Sequence, residues 1–232
     1  MKKLLLGMVL VLISVSASAQ FTVGASLAVA NPQYDFERIS DDNIYGLNID
    51  GGYNMNAFMI GGNFSYLFRG SQNFERALSG DQIGINTDIT VSHSLLQLHL
   101  LGRLQYPTPF IIPYVDGLLG GSFFSTSTES KSQNSTGNQS DVIASSTNQS
   151  DFTYSIGYGV GLMANVYNTE YEGKDLSIWV DLKVRYLKGG DAEYLQSADD
   201  IKYNDSAKKW ETKTTKSGTS MNVWYIGVAC KF

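Results

Sequence analysis

Leu176-Ser177-Ile178-Trp179-Val180-Asp181-Leu182-Lys183-Val184-Arg185-Tyr186 is the stretch on which the fold turns. Leu176, Ile178, Val180, Leu182, Val184 and Tyr186 share one parity, and Asp181, Lys183 and Arg185 share the other. A period of two is the signature of a pleated strand, whose successive side chains point to opposite faces. This strand has one apolar face and one charged face.

Seven further segments read the same way. The first carries Phe21, Val23, Ala25, Leu27 and Val29; the second Tyr45, Leu47, Ile49, Gly51 and Tyr53, opposite Asn48 and Asp50. The third carries Phe58, Ile60, Gly62, Phe64, Tyr66 and Phe68, and the fourth Leu96, Leu98, Leu100, Gly102, Leu104 and Tyr106, opposite Gln97, His99 and Arg103. The fifth sets Pro113, Val115, Gly117, Leu119, Gly121 and Phe123 against Tyr114 and Asp116. The sixth sets Phe152, Tyr154, Ile156, Tyr158, Val160 and Leu162 against Thr153, Ser155 and three glycines. After the stretch quoted first, the chain closes on Trp224, Ile226, Val228, Cys230 and Phe232.

The connections alternate in length. Residues 31–43, 69–86, 125–151 and 188–217 read as long polar loops, 54–57 and 107–109 as tight turns, and 165–175 as moderate. Long loops at one end and short turns at the other are expected of a membrane barrel, and both chain ends on the short-turn side require an even strand number. A soluble sandwich or lipocalin-like barrel would turn the apolar face inward. Two features oppose that. The polar face holds charges and glycines small enough for an eight-stranded interior. The apolar face has aromatics at both ends: Tyr53, Phe58 and Tyr106 near the short turns, and Tyr45, Phe68, Phe123, Phe152 and Tyr186 near the long loops. Aromatic girdles mark the two interfaces of a bilayer. The separation of Phe58 and Phe68, at roughly 3.3 Å per residue and a tilt near 40°, spans about 25 Å, the height of an outer-membrane apolar band. The expected fold is all-β: an eight-stranded antiparallel up-and-down transmembrane β-barrel.

In that fold the polar parity lines the lumen. Asp50, Arg103, Asp116, Asp181, Lys183 and Arg185 all carry it, three acids and three bases. Unpaired charges in a narrow lumen are costly, so the six are expected to form one ion-pair network that plugs the barrel. Folding the hairpin through Pro107, Thr108 and Pro109 sets His99 or Leu101 opposite Asp116.

On these residues the chain, from Phe21 to Phe232, resembles the small eight-stranded outer-membrane barrels of the OmpA, OmpX and OmpW kind, the outer membrane protein β-barrel domain group. Its most specific mark is the alternating last strand, Trp224, Ile226, Val228, Cys230 and terminal Phe232. The resemblance implies that this strand is read by the barrel-assembly machinery, that outer-membrane lipid surrounds the barrel in a Gram-negative envelope, and that the loops face outward. It implies no activity.

The first residues agree with that address. Lys2 and Lys3 precede an apolar run from Leu4 to Val15, and Ala17-Ser18-Ala19 offers a small-x-small cleavage site before Gln20. The run is about 12 residues, and a spanning helix needs about 20, so residues 1–19 are expected to be a cleaved signal peptide and 20–232 the barrel. No later stretch is apolar for long enough to span as a helix.

Composition narrows function mostly by exclusion. Of the 232 residues, 43% are hydrophobic and 17% charged, too apolar for a disordered chain. The net charge is −5, and losing Lys2 and Lys3 makes the mature chain more acidic, so there is no basic footprint for nucleic acid. The single cysteine excludes an intrachain disulfide and a CxxC site. His93 and His99 share a strand face about 20 Å apart, too far for one metal ion. Ser92 and Ser94 flank His93 on the opposite face, out of reach of a nucleophile–base pair. The Asp41-Asp42 pair and Asp199, Asp200 and Asp205 lack the spacing of an EF-hand loop and read as solvated. No enzyme, cofactor or metal is expected.

The polar segments read as surface. Of the 27 residues in 125–151, 19 are Ser, Thr, Asn or Gln, and Asn138-Gln139-Ser140-Asp141 recurs as Asn148-Gln149-Ser150-Asp151. Residues 188–217 carry six lysines and six acids around Trp210, and Asp205-Ser206-Ala207 resembles a short bacterial O-glycosylation sequon. The expected role is structural or surface-interacting, in envelope integrity or adhesion, with a possible extracellular or host ligand held by the loops. The alternative is a narrow channel or OmpW-like conduit for small or apolar molecules. A continuous set of charge pairs in the lumen favours the first, an open or apolar funnel the second.

Overall fold

The computed structural model describes residues 20–36, 43–78, 85–132, 141–171, 174–194, 201–204, 209–212 and 215–232. The leader 1–19 with Ala17 and Ala19, the pairs Asp41-Asp42 and Asp199-Asp200, the segment Asp205-Ser206-Ala207 and part of the Ser/Asn-rich tract lie outside them.

Eight strands close a barrel: β1 (Gln20–Pro32), β2 (Ile44–Met55), β3 (Phe58–Leu78), β4 (Ile85–Gln105), β5 (Ile111–Ser132), β6 (Asp141–Tyr171), β7 (Lys174–Gly189) and β12 (Met221–Lys231). Each pairs antiparallel with its chain neighbours. The ends meet where β1 pairs β12, from Thr22 opposite Lys231 to Pro32 opposite Met221. The Phe21 and Phe232 backbones exchange two further hydrogen bonds of 2.7 and 3.0 Å, from each N–H to the other's carbonyl. Closure leaves no unpaired edge within the barrel wall, the condition for β-structure in hydrocarbon.

The pleat sorts the side chains by parity. Large apolar residues are exposed on every barrel strand, among them Leu27, Ile49, Phe64, Leu100, Leu119, Tyr158, Leu182 and Ile226. The opposite parity is buried and holds the polar and charged residues together with an apolar set. Such a surface is stable only in an apolar solvent. This is a transmembrane barrel turned inside out relative to a soluble one.

The structure corrects several boundaries. Segments 69–86 and 125–151, read from sequence as loops, are largely ladder: β3 runs to Leu78, β4 starts at Ile85, β5 reaches Ser132 and β6 starts at Asp141. Hydropathy alternation marks where a strand meets lipid or core, not where it ends. Beyond the bilayer, Ser, Thr and Asn still satisfy their backbone groups across a ladder. A register shift between Phe68 and Ser71, at Gly70 with φ of +95°, marks the point where β3 leaves the apolar band. Segment 188–217 holds two small sheets: β8 (Asp191–Tyr194) with β11 (Thr215–Gly218), and β9 (Ile201–Asn204) with β10 (Lys209–Thr212). Segment 31–43 contains a 3₁₀ turn at Tyr34–Phe36, and 165–175 is mostly strand.

The turn between β2 and β3 is Asn56-Ala57, with Asn56 in the left-handed region at φ 60°, where asparagine is well tolerated.

Candidate functional site

The barrel interior is layered. At mid-height Asp50 on β2, Arg103 on β4, Asp116 on β5 and Asp181, Lys183 and Arg185 on β7 converge. Arg103 grips Asp116 with two of its nitrogens, Nε donating to Oδ1 at 2.7 Å and Nη2 to Oδ2 at 3.1 Å. Arg185 spans two acids: Nη1 and Nη2 each donate to Asp50 at 3.1 Å, and Nη2 donates to Asp116 Oδ2 at 2.6 Å. Lys183 donates to Asp50, to Asp181 at 2.9 Å and to the Ser26 hydroxyl at 3.3 Å. All six residues are buried. The planar forks of the two arginines suit these two-point contacts; an ammonium could not replace them.

Two tyrosines complete the layer. Tyr114 donates its hydroxyl to Asp181 at 2.5 Å, and the Arg103 guanidinium lies 3.7 Å above its ring. The buried Tyr225 ring faces both Lys183 and Arg185, at 5.3 and 5.2 Å. Tyr114 stands beside Asp116 in the sequence reading; Tyr225 was overlooked there, although its parity is opposite to Trp224 and Ile226 and therefore points inward.

The pairing of Asp116 differs from the expectation. Arg103 stands opposite it, whereas His99 is opposite Gly120 and Leu101 opposite Leu118. Proline has no N–H for a ladder, so Pro107 and Pro109 do not centre a tight turn. The connection widens to 106–110, with Tyr106 N–H on the Pro113 carbonyl at 3.0 Å and Ile111 N–H on the Thr108 hydroxyl at 3.3 Å. That wider loop moves the register by two residues from the Leu101 pairing, or four from the His99 pairing, and brings the arginine to the acid.

Glycines on the inward face of β6 provide the room. A Cβ at Gly159 would stand 2.6 Å from Arg185 Cγ, and one at Gly161 would stand 2.7 Å from Tyr114 Cε2, with other ring atoms nearer still. Gly161→Ala should therefore push Tyr114 off Asp181 and cost about 1–3 kcal/mol by overpacking. Urea unfolding should show that loss, and should show it shrink on a Tyr114→Ala background if the clash is its cause.

Toward the long-hairpin end a neutral polar layer follows. Asn63 donates to Asn48 and Asp50 at 2.5 and 2.7 Å, Ser65 donates to Asn48 at 2.7 Å, and His99 Nδ1 meets Asn63 Oδ1 at 3.1 Å. His93 lies six residues away on the same strand. Among the described residues there is no group of three His, Cys, Asp or Glu that could hold a metal ion.

Above this layer the interior turns apolar. Ala30, Ile44, Leu67, Leu95, Phe124, Leu187 and Met221 are buried with Phe36 from the 3₁₀ turn. Phe36 meets Phe124 edge to face, at 6.1 Å between centroids. Leu67, Leu95 and Leu187 share parity with Ser65, Gln97 and Arg185, so their inward position was open to a sequence reader who counted parity beyond the charges.

At the opposite end, ringed by the short turns, the start of β1 and the end of β12, a cavity of about 960 Å³ opens. Its lining includes Gln105, Trp179, Lys231, Asn54 and Asp175. The closing-strand residues Trp224, Ile226, Val228 and Phe232 are exposed on the lipid face and Cys230 is half-buried, with the Phe232 ring stacked 6.4 Å from Phe21. Gln20 begins β1 at the rim of the cavity.

No protein-family model matches the chain, and no curated protein matches it in sequence. Among solved structures it is similar to Ail, the attachment invasion locus protein of Yersinia pestis, crystallised with the heparin analogue sucrose octasulfate. The identity is 17%, the TM-score 0.46, and the match covers 93% of this chain and 99% of that one. It is also similar to Neisserial surface protein A, at 10% identity and TM-score 0.37, over 92% of this chain and 95% of that one. Neither likeness assigns a role to any residue named above.

Proposed function

We propose that the protein is an exported outer-membrane barrel that acts at the cell surface, in adhesion or envelope integrity, through a projecting β-sheet carried on a plugged lumen. The carrying observation is the inequality of the strands. β3 and β4 have 21 residues each, β5 has 22 and β6 has 31, whereas β1, β2 and β12 have 11 to 13. The ladder of β2 on β3 stops at Tyr45 opposite Phe68, and that of β7 on β6 stops at Gly189 opposite Ser155. Beyond those points β3 to β6 continue as a four-stranded sheet. Among the described strands no ladder joins its outer edges at 71–78 and 141–150. Unpaired edges are templates for an added strand from a partner.

The buried ion pairs and the apolar cluster above them support a closed lumen over the channel or conduit alternative. In this reading residues 1–19 are removed at Ala17-Ser18-Ala19, and the final strand ending at Phe232 addresses the chain to the barrel-assembly machinery. The protein works without cofactor or catalytic centre, its partners being outer-membrane lipid and an extracellular or host ligand.

Two measurements on the full mature chain test the reading. Refolded into a planar bilayer, it should give no discrete conductance steps; steady openings would replace the plugged barrel with the channel. Cells displaying it should adhere to immobilised extracellular matrix more than cells lacking it, and equal adhesion would remove the surface-interaction role.

A further inference from the structure

The six-residue network uses all its charges, yet a seventh buried charge stands outside it. Lys231, on the inward face of β12, is buried and lines the cavity at the short-turn end. Asp50, Asp116 and Asp181 are already engaged by Arg103, Lys183 and Arg185. Among the described residues Lys231 has no ion-pair partner; its contact is with the Trp179 ring, 5.0 Å from Nζ. A buried ammonium at a cavity wall, with no carboxylate within ion-pair distance among the described residues, offers a charge-assisted hydrogen bond to an anion.

The other walls specify more. Gln105 donates through Nε2 to Asn54 Oδ1 at 3.2 Å and to the Asn56 carbonyl at 2.9 Å, which fixes its amide orientation. Its buried Oε1 then has no hydrogen-bond partner and can accept from a ligand N–H or O–H. The indole of Trp179 is held by its Nε1–H bond to the Ser177 hydroxyl at 2.8 Å and offers an apolar flank. Asp175 is exposed among the lining residues and suits an ammonium group. The cavity has the size of a small-ligand site.

We propose that this cavity binds a small carboxylate that also carries a hydrogen-bond donor, the chemical class of amino acids and short peptides, with the carboxylate on Lys231 and the donor on Gln105 Oε1. The site does not depend on the sheet at the other end of the barrel, so its failure leaves the surface role untouched.

The test is an NMR titration of the full mature protein in detergent micelles. The probe is the dipeptide alanylalanine, followed at the Trp179 indole N–H signal, which is assigned by its loss in Trp179→Phe. Acetate, inorganic phosphate and chloride serve as comparison ions at matched ionic strength. The expected result is a saturable shift with the dipeptide, about tenfold weaker in Lys231→Met, as for a lost hydrogen bond to a charged group, and weaker in Gln105→Leu. Chloride should give no saturable shift. Saturation by acetate and phosphate as tight as by the dipeptide would overturn the donor requirement. No saturable shift in the wild-type protein, or an unchanged affinity in Lys231→Met, would overturn the site. The wild-type titration decides even where a variant fails to refold.

Discussion

Replacing Arg185 by alanine should destabilise the barrel by about 3–5 kcal/mol, the cost of breaking a buried ion pair on one side. Arg185 is fully buried and joins Asp50 to Asp116 through four hydrogen bonds. Its removal leaves three carboxylates to two cations in the layer, since Lys183 and Arg103 remain. Arg185→Lys should recover only part of the loss, because an ammonium cannot bridge both acids as the fork does. The double variant Arg185→Met with Asp116→Asn restores neutrality and should cost less than the sum of its single changes. Urea unfolding in lipid vesicles, followed by tryptophan fluorescence, measures these variants and the two single changes of the double. A loss below about 1 kcal/mol, typical of solvent-screened pairs, would mean that water fills the lumen, and with conductance steps it would end the plugged-barrel reading.

Leu187→Ala should cost about 2–5 kcal/mol, because it opens a cavity in the buried apolar cluster above the ion-pair layer. Leu187 is buried, and its side chain occupies the space that a Cβ at Gly157 would need. Leu187→Met conserves volume and should cost less than about 1.5 kcal/mol. The same unfolding assay separates them. Equal, small losses for both would show that the upper interior is loosely filled. The alanine variant also bears on permeation: if the apolar cluster is the tighter seal, it should raise bilayer conductance more than Arg185→Ala does.

Much of this architecture was open to reading in the sequence, for a local reason. The pleat gives each residue a face by parity alone, so the apolar row of Leu176 to Tyr186 and the inward row of Asp181, Lys183 and Arg185 follow without knowledge of any partner strand. Even strand number and closure of the first strand on the last follow from the alternation of connections. Parity also places Leu187, Tyr225 and Lys231 inside.

What only the tertiary structure decided is which inward residues meet. Partner choice depends on register, and register depends on the geometry of a connection and the stagger of the closed sheet, neither of which leaves a mark on parity. The wider connection at 106–110 exchanged His99 or Leu101 for Arg103 as the partner of Asp116. The extension of β3 to β6 past the apolar band was equally hidden, because outside lipid a ladder is held by backbone hydrogen bonds that Ser, Thr and Asn permit without any alternation. The sequence by itself therefore determined which side of the wall each residue occupies, since that is set within a single strand. The pairing of charges across the lumen and the length of the sheet above it were decided by contacts between strands, which exist only once the barrel has closed.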